Sequence, residues 1–232
     1  MHYLKKEKKR PFKPGTWLCL CLLGWAVAKQ AAAQSLEPLP NHPGKFAYTP
    51  APGDRLVYQV TYPDGTKYPF TVTIKKYSYP PDENEPYPIA FNWAMGAPAN
   101  SAGSIEICAS CLTEGNAYKN YFAAGSNLKL EDATAVFVTG RNFYEPQQDK
   151  DKKTIMIMDG QPISFYDNAE QLGGHKVTVN GKAFYLLTKT YNNAPDMKGN
   201  RSLIIQAAGS QLILSMNLTF TIQLQHIITA RQ

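Results

Sequence analysis

Leu212-Ile-Leu-Ser-Met-Asn-Leu-Thr-Phe-Thr-Ile-Gln-Leu224 is the stretch from which the fold is read. Positions 212, 214, 216, 218, 220, 222 and 224 are Leu, Leu, Met, Leu, Phe, Ile and Leu. Five of the six residues between them (Ser215, Asn217, Thr219, Thr221 and Gln223) are polar. Successive side chains of a strand point to opposite faces, so this alternation predicts a ribbon with one face buried. As a single strand it would reach roughly 40 Å, about twice the usual length. Twist accumulating over that distance would splay the apolar face unless the sheet curled around it. The expected fold is mainly β: a strongly curved antiparallel sheet, half-barrel or closed barrel, with one or two short helices.

Upstream, His175–Val179 and Lys182–Leu187 flank Asn180-Gly181, a dipeptide suited to the positive φ angles of a two-residue hairpin turn. Arg55–Tyr62 and Tyr68–Tyr77 read as a second hairpin around Pro63-Asp64-Gly65. Residues 77–88 carry four prolines and are expected to form an exposed loop before a strand from Tyr87 to Met95. Asp132–Val138 and Lys153–Met158 look like further strands, and short helices are allowed only within 109–122 and 141–148. Residues 34–52 are Pro-rich and without periodicity, which predicts a loose tether ahead of one β-rich domain at 53–232.

Residues 1–33 have the three parts of an export signal: a basic stretch, an apolar stretch from Trp17 to Ala28, and small residues thereafter. The apolar part is too short to span a bilayer as a helix. The expected location is periplasmic or outer-membrane-associated, and peripheral association with the outer membrane is one expected contact. The formal charge of +6 sits largely in this segment, since residues 34–232 carry 17 basic and 17 acidic side chains. That balance argues against a nucleic-acid partner.

Cys108 and Cys111 are the only cysteines beyond the signal. In an extended strand their Cα atoms would lie roughly 10 Å apart, too far to bridge, so a disulfide requires a turn or helix start at Ala109-Ser110. His42, His175 and His226 are scattered and supply no second spaced ligand pair, so no metal or other cofactor is expected. His226 continues the even, inward-facing register of the last strand. No Gly-x-Ser-x-Gly nucleophile motif occurs, and Gly125-Ser126 and Gly209-Ser210 read as loops. Asp82, Glu83 and Glu85 read as a solvated loop, and Glu131-Asp132 would serve acid–base chemistry only if folded opposite another carboxylate. The expectation is a protein without enzymatic activity.

Gly53-Asp54 before the Tyr58 strand, Gly103-Ser-Ile-Glu-Ile107, Gly125–Thr134 with Glu131-Asp132, Asn180-Gly181-Lys182 and Leu212–Met216 occur in an order that resembles an uncharacterised family of exported β-rich domains of Gram-negative bacteria. The resemblance covers about 53–228 and implies a curved sheet that holds, or has room for, an apolar ligand. It implies no activity, and the cysteine pair departs from its pattern. The leading expectation is therefore a lipid-like molecule against Leu214, Met216, Leu218, Phe220, Ile222 and Leu224. A second reading is a carbohydrate- or surface-binding module stacking on Tyr77, Tyr79, Tyr87, Phe91 and Trp93. A third is a small eight-stranded outer-membrane barrel.

Overall fold

A computed structural model describes residues 36–80, 84–113, 117–120, 124–137, 153–167, 172–192 and 201–230. The export segment at 1–33, the 141–148 helix expectation, and Asp82 and Glu83 lie outside these. The first strands are β1 (Leu36–Pro38), β2 (Phe46–Tyr48), β3 (Arg55–Thr61), β4 (Lys67–Tyr77), β5 (Ile89–Met95) and β6 (Ser101–Ile107). A single-turn helix, α1 (Ala109–Thr113), precedes β7 (Ala117–Tyr118), β8 (Asn127–Leu130) and β9 (Ala133–Thr134). Then come β10 (Lys153–Met158), β11 (Gln161–Asp167), β12 (Gly173–Val179) and β13 (Lys182–Asn192). The chain closes with β14 (Ser202–Gln206), β15 (Ile213–Asn217) and β16 (Thr221–Ile228). The protein is mainly β, with very little helix.

Two expected hairpins form. Asn180 and Gly181 take φ of 46° and 83° and join β12 to β13, which pair antiparallel from Gly173↔Thr188 to Val179↔Lys182. Gly65, at φ 84°, turns β3 into β4, and Asp64 Oδ1 accepts the Thr66 N–H at 2.8 Å.

The expected single ribbon at 212–224 does not form. Residues 218–220 turn back, and β15 pairs antiparallel with β16 through Met216↔Ile222 and Asn217↔Thr221. Cross-strand partners share a face, and a three-residue loop separates every partner pair by an even number of positions. The period-two pattern therefore runs unbroken through the reversal, and periodicity alone cannot reveal it. Asn217, whose Oδ1 accepts the Thr221 hydroxyl at 3.2 Å, was the available turn signal. A bulge between Leu224 and His226 in the β16–β3 register then shifts the parity. Ile227 is buried in consequence, and His226, expected inward, is not.

β12, β13, β14, β15 and β16 close a five-strand barrel. Its neighbours are antiparallel except for a parallel β12–β16 contact through Thr178↔His226 and Val179↔Ile227. This ring has five strands where the outer-membrane reading needed eight, and so small a ring has room for side chains only. From β16 the sheet continues through β3, β4, β5 and β6 to β8, and from β13 through β11 and β10 to β7 and β9. The two arms roll toward one another: Phe137, just beyond β9, bridges to Leu212 and lies 5.7 Å from the Tyr77 ring of β4. Among the described residues of Asp132–Val138, expected as a strand, strand form is kept at β9 and resumes only as the single Phe137 bridge, because Val136 turns to φ 68° between them.

The stretch read as a tether carries β1 and β2, which pair with each other, while β2 also pairs with β13 through Phe46↔Leu186. Tyr48 is fully buried. Its peptide N–H donates to Gln206 Oε1 at 3.0 Å, and its C=O accepts from Gln206 Nε2 at 2.8 Å. Its hydroxyl donates to Asp54 Oδ2 at 2.8 Å. Asp54, also fully buried, accepts further N–H groups from Ala51 at 3.0 Å and Ala230 at 2.9 Å. A buried carboxylate is tolerable only when so satisfied.

Candidate functional site

The inward faces of β16, β3, β4 and β5 form one continuous apolar surface, because the register sets Ile222 beside Val60, Tyr58 beside Phe70, and Phe70 beside Met95. Most of this surface is packed core. Leu214 and Met216 have no exposed surface and Leu224 has 1%, so these three residues of the expected apolar face serve the core. Leu218 is half-buried against it. Phe220 and Ile222 instead line a pocket of about 430 Å³ at one end of the concave face.

Buried residues form the pocket's floor: Val60, Phe70, Trp93 and Ile222 from one arm of the sheet, Tyr118 and Val136 from the other. Phe70 and Trp93 are in ring contact, with centroids 6.4 Å apart. Gly103, opposite Trp93 on β6, leaves room for the indole: a Cβ there would meet Trp93 Nε1 at 2.8 Å and the Ser126 carbonyl oxygen at 2.5 Å. Met95 adds an adaptable wall. Tyr62 stands at the mouth, 41% exposed, its ring 6.0 Å from Phe220 and 5.3 Å from Tyr68. Lys119, Asn120 and Asp159 supply polar groups on the far side.

That far side is held by backbone pairing. Lys119 N–H donates to the Thr134 carbonyl at 2.8 Å, and Asp159 N–H donates to the Tyr118 carbonyl at 3.0 Å. Asn120 N–H donates to Asp159 Oδ1 at 2.9 Å. Val136 is a β-branched residue in the left-handed region, a conformation that costs about 1–3 kcal/mol. It is held by its N–H donating to the Tyr118 hydroxyl at 3.1 Å and its carbonyl accepting from Ile213 N–H at 2.9 Å. The Thr134 hydroxyl, bonded to the Phe137 carbonyl, closes the same segment. Burial pushes the ionisation of the Tyr118 hydroxyl well above the ordinary tyrosine value, with the nearby Asp159 charge adding to it, so the pocket wall is neutral there.

The aromatic residues of the stacking reading do not share one exposed face. Phe91 is 1% and Trp93 3% exposed, and only Trp93 borders the pocket. Tyr77 packs on Phe137, and the Tyr79 hydroxyl meets Gln211 Nε2 at 3.3 Å. The Tyr87 hydroxyl donates to Glu131 Oε1 at 2.8 Å under the Lys129 ammonium, and this bond to a carboxylate raises its ionisation. Glu85 pairs with Lys76 at 2.5 Å.

Cys108 and Cys111 form a disulfide across the start of α1, Cα to Cα 5.3 Å, with 8% and 2% of their surface exposed. His175 is a core residue, its Nε2 3.1 Å from the Leu224 carbonyl oxygen. His226 borders a separate depression of about 290 Å³ near Gln59 and Lys67. Among the described residues no group of three or more His, Cys, Asp or Glu side chains is placed to hold a metal ion.

Sequence reasoning named Phe220, Ile222 and Trp93, but in two different hypotheses. It missed Tyr118, Lys119, Val136 and Asp159, which no local motif marks because the non-local pairing of β7 with β9 and β10 brings them together. Comparison with family models, curated proteins and solved structures gives no match.

Proposed function

We propose that the protein is an exported, non-catalytic binding protein that holds an apolar small molecule in the pocket between the two sheet arms. The observation that carries this reading is the pocket itself. Its size falls within the roughly 300–1,000 Å³ of small-molecule sites, and its floor is aromatic and aliphatic with a few polar groups to one side. Export rests on the residue 1–33 pattern. The Cys108–Cys111 bond supports it, since disulfides persist in oxidising compartments. Among the described residues no helix is long and apolar enough to cross a membrane.

The test is titration with the neutral apolar fluorophore N-phenyl-1-naphthylamine, read by its emission gain. Saturable binding is expected, with loss in Met95→Trp, which fills the pocket while circular dichroism confirms that the variant folds. Absence of saturable binding to the wild-type chain, or undiminished binding in folded Met95→Trp, refutes the reading.

A further inference from the structure

We infer that the molecule held in the pocket is a single-chain amphiphile with a carboxylate head, its chain on the apolar floor and its head against Lys119. This rests on the binding reading above and adds the chemistry of the ligand. The floor offers no charge, so it suits a hydrocarbon chain or a ring. The polar side offers one cation, Lys119, and one anion, Asp159.

The two charges are not equivalent. Asp159 is exposed, sits in the β10–β11 turn and already accepts the Asn120 N–H at Oδ1, so its charge faces solvent and is partly engaged. Lys119 is half-buried, and its ammonium makes no ion pair among the described residues. Its backbone is fixed through its bond to Thr134 and through the Asn120–Asp159 bond, so its stem starts from a defined point beside the floor. A cation beside apolar surface and without an ion pair is stabilised by an anion arriving with an apolar body.

The experiment compares cis-parinaric acid with its methyl ester, two fluorescent chains that differ only in the head, on the wild type and on Lys119→Gln. The acid is expected to bind about five- to tenfold more tightly than the ester to the wild type, and the ratio to fall to about one to two in Lys119→Gln. Bound acid should be displaced by palmitate. Equal binding of acid and ester, or an unchanged ratio in Lys119→Gln, overturns the inference while leaving the pocket reading intact, because the ester still binds. Displacement by hexadecyl phosphate alone overturns the carboxylate assignment. If neither probe binds, the reading beneath the inference fails as well.

Discussion

Gln206 and Tyr48 pair side-chain amide to peptide group in both directions, at 3.0 Å and 2.8 Å, 158 residues apart in sequence. Gln206 thereby treats Tyr48 as a neighbouring strand would, and gives partners to the buried backbone groups of the last residue of β2. Gln206→Leu keeps the approximate volume and removes the side-chain acceptor of the buried Tyr48 N–H, while the Tyr48 carbonyl keeps the Ser210 hydroxyl at 3.1 Å. The expected cost is about 2–4 kcal/mol, read as a lower midpoint in urea denaturation with an unchanged slope.

Stability should fall steeply above pH 10. Tyr48, Tyr58 and Tyr118 are held neutral in the folded chain, chiefly by burial, with ionisation pushed well above the ordinary value of 10.0. In the unfolded chain they lose their protons near that ordinary value, so above it the unfolded state binds fewer protons. The stabilisation is complete below pH 10 and is lost as pH rises beyond it, by about 1.4 kcal/mol per pH unit for each tyrosine. Urea midpoints at pH 9, 10 and 11 measure the slope. Tyr58→Phe, which removes one titrating group along with its bond to the Ile213 carbonyl, should reduce it by about one tyrosine's share, ~1.4 kcal/mol per pH unit.

The reversal at 218–220 has a direct assay. A hairpin loop absorbs an added residue at small entropic cost, whereas a continuous ribbon would have half its side chains turned to the wrong face. Inserting one glycine after Thr219 is therefore expected to cost no more than about 1 kcal/mol. A collapse in thermal stability would instead restore the ribbon.

Gly103→Ala should disturb the pocket floor from below. The new methyl group meets the Trp93 indole and the Ser126 carbonyl, and the carbonyl is backbone. A loss of about 1–3 kcal/mol is expected, together with a shift in tryptophan emission. An unshifted spectrum at full stability would contradict the packing of Trp93 on Gly103.

Reducing the Cys108–Cys111 bond should cost about 2 kcal/mol, because so short a loop restricts the unfolded chain only slightly. The check is a denaturation midpoint with and without reductant, with a thiol count to confirm reduction.

Much of the fold was legible where turn chemistry is local. Asn180-Gly181 and Pro63-Asp64-Gly65 each announced a hairpin, and the alternation at 212–224 marked the right buried face. Its direction was hidden because side-chain parity survives an odd loop, and the bulge beside His226 was hidden because Leu224-Gln225-His226 looks like more of the same pattern. β6 escaped notice as Ser-Ala-Gly-Ser before Ile105, residues of low strand preference held by the pairing of β5 on one side and β8 on the other. The site was less legible than the fold. Its floor joins Trp93 to Ile222 and its polar side depends on Lys119 and Asp159, and these meet only when distant arms of the sheet close on one another.

Asp54 also has a mechanical consequence. Its two oxygens grip Tyr48 and Ala51 on one flank and Ala230 on the other, just outside the Arg55↔Ile228 rung where β3 and β16 begin to pair. A force drawing residues 48 and 230 apart loads this carboxylate before the first rung. Once the clasp gives way, the two strands peel like a zip, one pair at a time.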